Sequence, residues 1–183
     1  MTTEKKKSKK AIKSAVQAHI PSWSLGEKQT FLLFCGVVTV LTIILFWRYL
    51  FGPELFIFND VGSDTLTLFY PNLVQAARYC RESGIPGWSF FVGVGANIYP
   101  GVLLNPFHWV FIPMDPVTIA YSVAWVQAAI LIVTGLLFYK FLRVALFSLP
   151  VCLVGGIVYS FGGYLVVGSS WYGHSMVIFW MTL

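Results

Sequence analysis

The chain has 183 residues, of which 57% are apolar and only 10% charged, and its mean hydropathy is +0.76. Globular domains carry about 25% charged residues because they must cover a surface that faces water, so this composition excludes an ordinary soluble domain and makes lipid part of the solvent. The net charge of +5 is concentrated at Lys5, Lys6, Lys7, Lys9, Lys10 and Lys13. No basic face continues beyond that run, which excludes a nucleic-acid partner.

Residues 1–29 read as a basic, disordered cytoplasmic tail held against anionic lipid, each lysine near the leaflet contributing on the order of 1 kcal/mol. Pro21 and Gly26 stop any helix before Glu27. From Thr30 to Phe51 the sequence is apolar apart from Arg48. As a helix this stretch rises about 33 Å, enough to cross a hydrocarbon core of about 30 Å. The basic region is too long for a signal peptide, and no small-x-small cleavage pattern follows. The span is therefore expected to stay.

Gly52 and Pro53 end that helix and open an outer loop covering residues 52–116. Within it, Leu66, Phe69, Leu73, Ala76, Ala77 and Cys80 recur at spacings of three and four, with Asp64, Gln75, Arg78 and Glu82 between them. This is the pattern of an amphipathic juxtamembrane helix, capped by Ser63 or Asp64, bent at Pro71 and ended by Gly84. It is expected to lie along the membrane surface. The segment from Ile85 to Pro113, rich in glycine, proline and tryptophan, reads as an ordered, irregular loop dipping at the interface.

A second span is predicted over 117–138, entered through Asp115-Pro116, which puts a carboxylate and a proline at a helix start. Lys140 and Arg143 follow as its cytoplasmic exit. A third span is predicted over 149–167, with Gly155, Gly156, Gly162 and Gly163 permitting close helix approach. A polar bend over 168–175 carries His174, and residues 176–183 turn apolar again. That last stretch is too short to cross a bilayer and reads as the truncated start of a fourth span, so the chain is expected to be the N-terminal part of a larger protein. The excess of lysine and arginine places the N-terminus and the 140–148 turn in the cytoplasm, with the 52–116 loop and the 168–175 bend outside. The expected fold is an all-α polytopic membrane protein with three complete transmembrane helices.

Candidate chemistry concentrates at the head of the outer loop, Phe58-Asn59-Asp60-Val61-Gly62-Ser63-Asp64-Thr65. Asp60 and Asp64, four residues apart, can converge as a general base or as ligands of a divalent cation that bridges phosphate oxygens. The plainer alternative makes Asp64 a helix cap and Asp60 a turn residue. Arg48, within a turn of the outer interface, can snorkel to the headgroups or hold a lipid-linked phosphate in bidentate fashion. Arg78 and Arg81 offer the same phosphate chemistry from the amphipathic helix, or form a solvated face. His174, beside Trp171 and Tyr172, is a substrate-binding candidate or an interfacial residue, and His108 sits near the interface with Trp109. Gly93-Val94-Gly95 lacks the spacing of a nucleotide-binding loop and reads as backbone flexibility. Cys35, Cys80 and Cys152 match no metal or disulfide framework and read as packing residues.

The ordered set Asp60-Val61-Gly62-Ser63-Asp64-Thr65, Phe69-Tyr70-Pro71, Gly84-Ile85-Pro86-Gly87-Trp88-Ser89, Gly93-Val94-Gly95 and Asn105-Pro106-Phe107 resembles the N-terminal region of YfhO-like bacterial membrane proteins, of the GT-C class of polytopic glycosyltransferases. The resemblance runs over roughly residues 30–183. It implies a bacterial enzyme of the cytoplasmic membrane that moves a sugar from a polyprenyl-phosphate-linked donor to a cell-envelope acceptor, a glycan or a teichoic-acid-like polymer, at the outer face. It also implies that Asp64, which opens the family's Asp…Tyr-x-Pro pattern, activates the acceptor hydroxyl, with Asp60 its neighbour. Leu68 departs from the family, which commonly has glutamine there. The sequence leaves two other classes open: a transporter or flippase of a lipid-linked substrate, and a non-catalytic membrane scaffold.

Overall fold

In the computed structural model, which describes residues 25–57, 64–84, 87–90, 94–97 and 105–168, the chain is mostly helical. Helix α1 spans Glu27–Leu50. It starts three residues ahead of the hydropathy boundary because its polar first turn is capped. Gln29 Oε1 accepts the Gly26 N–H at 3.0 Å, and Thr30 Oγ1 donates to the Gly26 carbonyl at 3.0 Å, so two backbone groups at the helix start are satisfied. At the other end Gly52 folds under the last turn, where a Cβ would collide with the Arg48 carbonyl oxygen.

The outer segments follow. A π-helical turn over Thr65–Phe69 leads into α2 (Tyr70–Ser83). A short antiparallel hairpin pairs β1 (Trp88–Ser89) with β2 (Ala96–Asn97). A 3-10 helix covers Pro106–Phe111. Then come α3 (Pro116–Val144), α4 (Leu149–Ser160) and the short α5 (Gly163–Gly168). Three stretches are long and apolar enough to cross a membrane: Glu27–Leu50, Pro116–Val144 and Leu149–Val167. The lysine tail, Asp60, His174 and the expected start of a fourth span lie outside the described residues.

Helix α3 runs past the expected exit at 138, so Lys140 and Arg143 belong to its last turns instead of following it. Arg143 explains the extension. Its guanidinium meets Glu27 Oε1 through Nη2 at 3.1 Å and Nε at 3.2 Å, and Nη1 donates to the Phe147 carbonyl at 2.8 Å. The pairing ties the start of α1 to the end of α3 and fixes the two helices as antiparallel. The turn to α4 then passes through Leu146 at φ 65°, a left-handed position that costs an L-residue about 1–2 kcal/mol.

The three long helices meet where side chains are smallest. Phe34 of α1 is 0% exposed and stacks on Tyr139 of α3, ring centroids 4.8 Å apart. Its ring lies against Gly156 of α4, where an added Cβ would come within 2.6 Å of it. Gly135 of α3 faces Ser160 of α4 with no room for a methyl group, and Ser160 Oγ donates to the Gly156 carbonyl at 2.8 Å. Gly155 serves the same approach toward Leu142, whereas Gly163 faces open space and Gly162 lies at the break between α4 and α5. Small residues here replace the hydrophobic driving force that lipid cannot supply.

Around the C-terminal end of α1 and the N-terminal end of α3 a second core forms from Phe46, Phe56, Leu73, Ala77, Phe111, Ile119 and Val123. The apolar face of α2 is thus buried against protein. Leu73, Ala76 and Ala77 are buried, and Leu73 and Ala77 join this cluster with Phe46, Phe111 and Ile119.

Overpacking the three-helix contact tests this arrangement. Gly156→Val should lower stability in detergent by about 1–3 kcal/mol, read by steric-trapping or thermal unfolding. Combining it with Phe34→Ala, which opens space at the same contact, should restore part of the loss.

Candidate functional site

Helix α2 carries the site, and its placement starts from Pro71. Proline cannot donate a backbone hydrogen bond, and its ring crowds the carbonyl four residues back. The chain answers with a π turn: the Tyr70 N–H bonds the Thr65 carbonyl, five residues back, before regular α geometry resumes. Asp64 is already helical, at φ −61° and ψ −21°, and makes no side-chain cap bond. The capping alternative is therefore not realised, and the carboxylate is exposed at the start of the described helical run.

Two anchors fasten α2 to the corner ahead of α3. Tyr70 Oη donates to the Pro116 carbonyl at 2.8 Å. Two to three turns further on, Arg81 Nη1 donates to the Ile112 carbonyl at 2.9 Å and to the Met114 carbonyl. Arg81 is thus a clamp on loop carbonyls through Nη1, while the residue stays on the exposed face expected for it. On the same corner Asp115 caps α3, accepting from the Val117 and Thr118 N–H groups at 3.0 and 3.2 Å and from the Thr118 hydroxyl. The Thr118 hydroxyl, with the capped N–H groups, holds the Asp115 carboxyl below its ordinary value of 3.8. Burial raises the Tyr70 phenol, and the Asp115 charge adds to that rise.

The other cations proposed from sequence also have partners. Arg78 Nε pairs with Glu82 Oε1 at 2.8 Å, one helical turn on, and Arg48 pairs with Glu54 across the Gly52-Pro53 turn. Both pairs are exposed.

Between Tyr70, Pro71, Gln75, Arg78, Tyr79 and Pro116 lies a groove of about 500 Å³, with Glu82 at its far end. It follows adjacent rows of α2 spaced four residues apart and is closed on one side by the start of α3. Gln75 also holds the hairpin, its Nε2 donating to the buried Ser89 Oγ at 2.9 Å. The structure therefore brings Arg78 into the groove with residues that sequence reasoning did not single out, Tyr70, Tyr79 and Glu82. Asp64 does not line it; it stands ahead of the π turn that leads into it. The Arg78–Glu82 spacing was a readable signal for the ion pair.

Two motifs acquire structural roles. Asn105 Oδ1 accepts the Phe107 N–H at 3.0 Å, capping the 3-10 helix, which leaves its Nδ2 to face His108 Nε2 at 2.9 Å. An amide donor there makes Nε2 the acceptor, so the His108 ring carries its proton on Nδ1. With 4% exposure, His108 is a packed residue under the loop. Gly95 lies at φ 113°, and a Cβ there would come within 2.5 Å of the Trp88 indole Nε1 and 2.9 Å of its Cε2. Both strain and space demand glycine at 95, while Gly93 lies outside the described residues.

Among the described residues no three His, Cys, Asp or Glu side chains come together as a metal site. The three cysteines are free thiols, and Cys152 is buried. Comparison with protein-family models, with curated proteins and with solved structures returns no match. What the fold defines is a mostly helical protein with three helices fit to cross a membrane and a segment between the first two that packs on their ends.

Removing the clamp should free α2. Arg81→Ala is expected to cost about 1 kcal/mol, with faster amide hydrogen exchange confined to 70–83 and 112–116 as the check. The Asp115 cap predicts a pH response. Its carboxyl is lowered in the folded state, so its stabilisation is complete above pH 3.8 and is lost as pH falls through that value and below the folded one. The protection factors at the start of α3, exchange corrected for its intrinsic pH dependence, should fall from pH 5 to pH 3 in the wild type, and the fall should be absent in Asp115→Ala.

Proposed function

We propose that the chain is the N-terminal part of a YfhO-like, GT-C-class membrane glycosyltransferase. It would act in the bacterial cytoplasmic membrane with its N-terminus inside, moving a sugar from a polyprenyl-phosphate carrier to a cell-envelope acceptor on the outer face. The observation that carries this reading is the position of Asp64: an exposed carboxylate that makes no cap bond to the helical run it precedes, a run that leads into a groove of about 500 Å³. A general base must keep its oxygens free for the hydroxyl it deprotonates. The rigid attachment of α2 through Tyr70 and Arg81 supplies the fixed scaffold that such a base requires. Asp60 is assigned to the same site as its neighbour. Arg48, at the outer end of α1, is assigned to the donor phosphate, for which it would exchange Glu54. A divalent cation at the aspartates would neutralise that phosphate.

The test is sugar transfer by the intact protein in native membranes. Asp64→Asn keeps the shape of the side chain and removes its basicity, and should lower transfer by about 10²–10⁴-fold with unchanged expression. Wild-type transfer by well-folded Asp64→Asn protein overturns the assignment. Transport of a lipid-linked substrate without any glycosyl transfer overturns the enzymatic reading altogether.

A further inference from the structure

We infer that the groove on α2 is a subsite for an uncharged pyranose ring, and that it does not hold the phosphate of a lipid carrier. This rests on the glycosyltransferase reading and narrows it: the ring belongs to the acceptor sugar, and the donor phosphate is held elsewhere.

Charge decides against an anion. Among the described residues Arg78 is the one cation lining the groove, and its Nε is held by Glu82 at 2.8 Å. Arg81 is engaged by the Ile112 and Met114 carbonyls. Asp115, next to Pro116 in the groove wall, keeps its negative charge and acts on Tyr70. These two cations and two carboxylates sum to zero, so a phosphate entering the groove meets no uncompensated positive charge. Its desolvation would go unmatched.

The shape and chemistry suit a sugar. Tyr70 and Tyr79 present flat aromatic surfaces, and Pro71 and Pro116 add apolar walls. Such surfaces match the C–H faces of a pyranose, while sugar hydroxyls need donors and acceptors close together at the rim. The groove has both. The remaining N–H groups of Arg78 donate, the carboxylate of Glu82 accepts, and Gln75 keeps its carbonyl oxygen because only Nε2 is taken up by Ser89. An ion pair that offers donors and acceptors while carrying no net charge fits a neutral polyol better than it fits an ion. A volume of about 500 Å³ lies within the usual range for small-molecule sites, ~300–1,000 Å³.

The experiment is saturation-transfer difference NMR on the intact protein in nanodiscs, with empty nanodiscs as the blank. The probes are the methyl glycosides of glucose, galactose, mannose and N-acetylglucosamine, and inorganic phosphate followed by its ³¹P line. At least one glycoside should receive saturation on its ring protons. That transfer should fall about fivefold in Tyr79→Ala and also fall in Arg78→Ala, with phosphate failing to compete. Glu82→Gln leaves Arg78 unpaired and should create phosphate binding that the wild type lacks. Failure of every glycoside to bind, signals unchanged by Tyr79→Ala and Arg78→Ala, or competition by phosphate in the wild type each overturns the subsite. Sugar binding that follows these variants in a protein with no transferase activity would uphold the subsite and sink the enzymatic reading. Transfer that survives without any glycoside response would do the reverse.

Discussion

The corner from Ile112 to Pro116 is the constraint on which the outer half of the molecule depends. Where the chain leaves the 3-10 helix, the Ile112 and Met114 carbonyls lie outside both helices, and a backbone group left unsatisfied costs about 1–3 kcal/mol. The partners come from another element. Arg81 takes the Ile112 and Met114 carbonyls and Tyr70 takes that of Pro116, while Asp115 satisfies the first N–H groups of α3. Solving the hydrogen-bond problem of the loop therefore also fixes α2. With α2 fixed, its apolar face closes the outer core against Phe46, Phe111, Ile119 and Val123, and its polar face and Pro116 become the groove.

That dependence explains which parts of the fold were legible in the sequence. The spans are properties of local composition, so hydropathy located them; it erred at their ends, where single polar groups decide. Glu27 and Arg143 look like flanking charges in a hydropathy plot, yet their mutual contact carries both helices further than apolar content alone would. The amphipathic pattern of α2 was equally plain in its spacing of three and four. What covers its apolar face was not, because lipid and protein impose the same periodicity on a helix. The hairpin was invisible for another reason. Strands of two residues show no alternation, and the contact of Trp88 with Gly95 depends on a turn that periodicity cannot register.

The candidate site shows the same division. Asp64 was found by its residue type and place, but its freedom from capping follows from a π turn that Pro71 imposes downstream. The capping of the 3-10 helix by Asn105 was available from sequence, as a cap residue followed by proline. The engagement of His108 by the same amide needed coordinates. Tyr79 carries no chemical signature that would mark it and Tyr70 entered only as part of the Phe69-Tyr70-Pro71 motif; the closure of the groove by Pro116 brings the two together.

The cations follow one rule across the outer segments. Arg48, Arg78 and Arg81 are the basic residues of the region from the end of α1 to the start of α3, and each has a partner supplied within the same region: Glu54, Glu82, and the carbonyls of the corner. The proposed orientation puts this region on the translocated side, which is poor in lysine and arginine, and the arginines found here are compensated locally. Local compensation has a chemical consequence. A surface built from paired charges keeps dense hydrogen-bonding capacity while losing its attraction for anions, so it discriminates by the arrangement of donors and acceptors instead of by net charge. The orientation proposed for the chain and the neutral ligand inferred for the groove thus draw on the same physical cause.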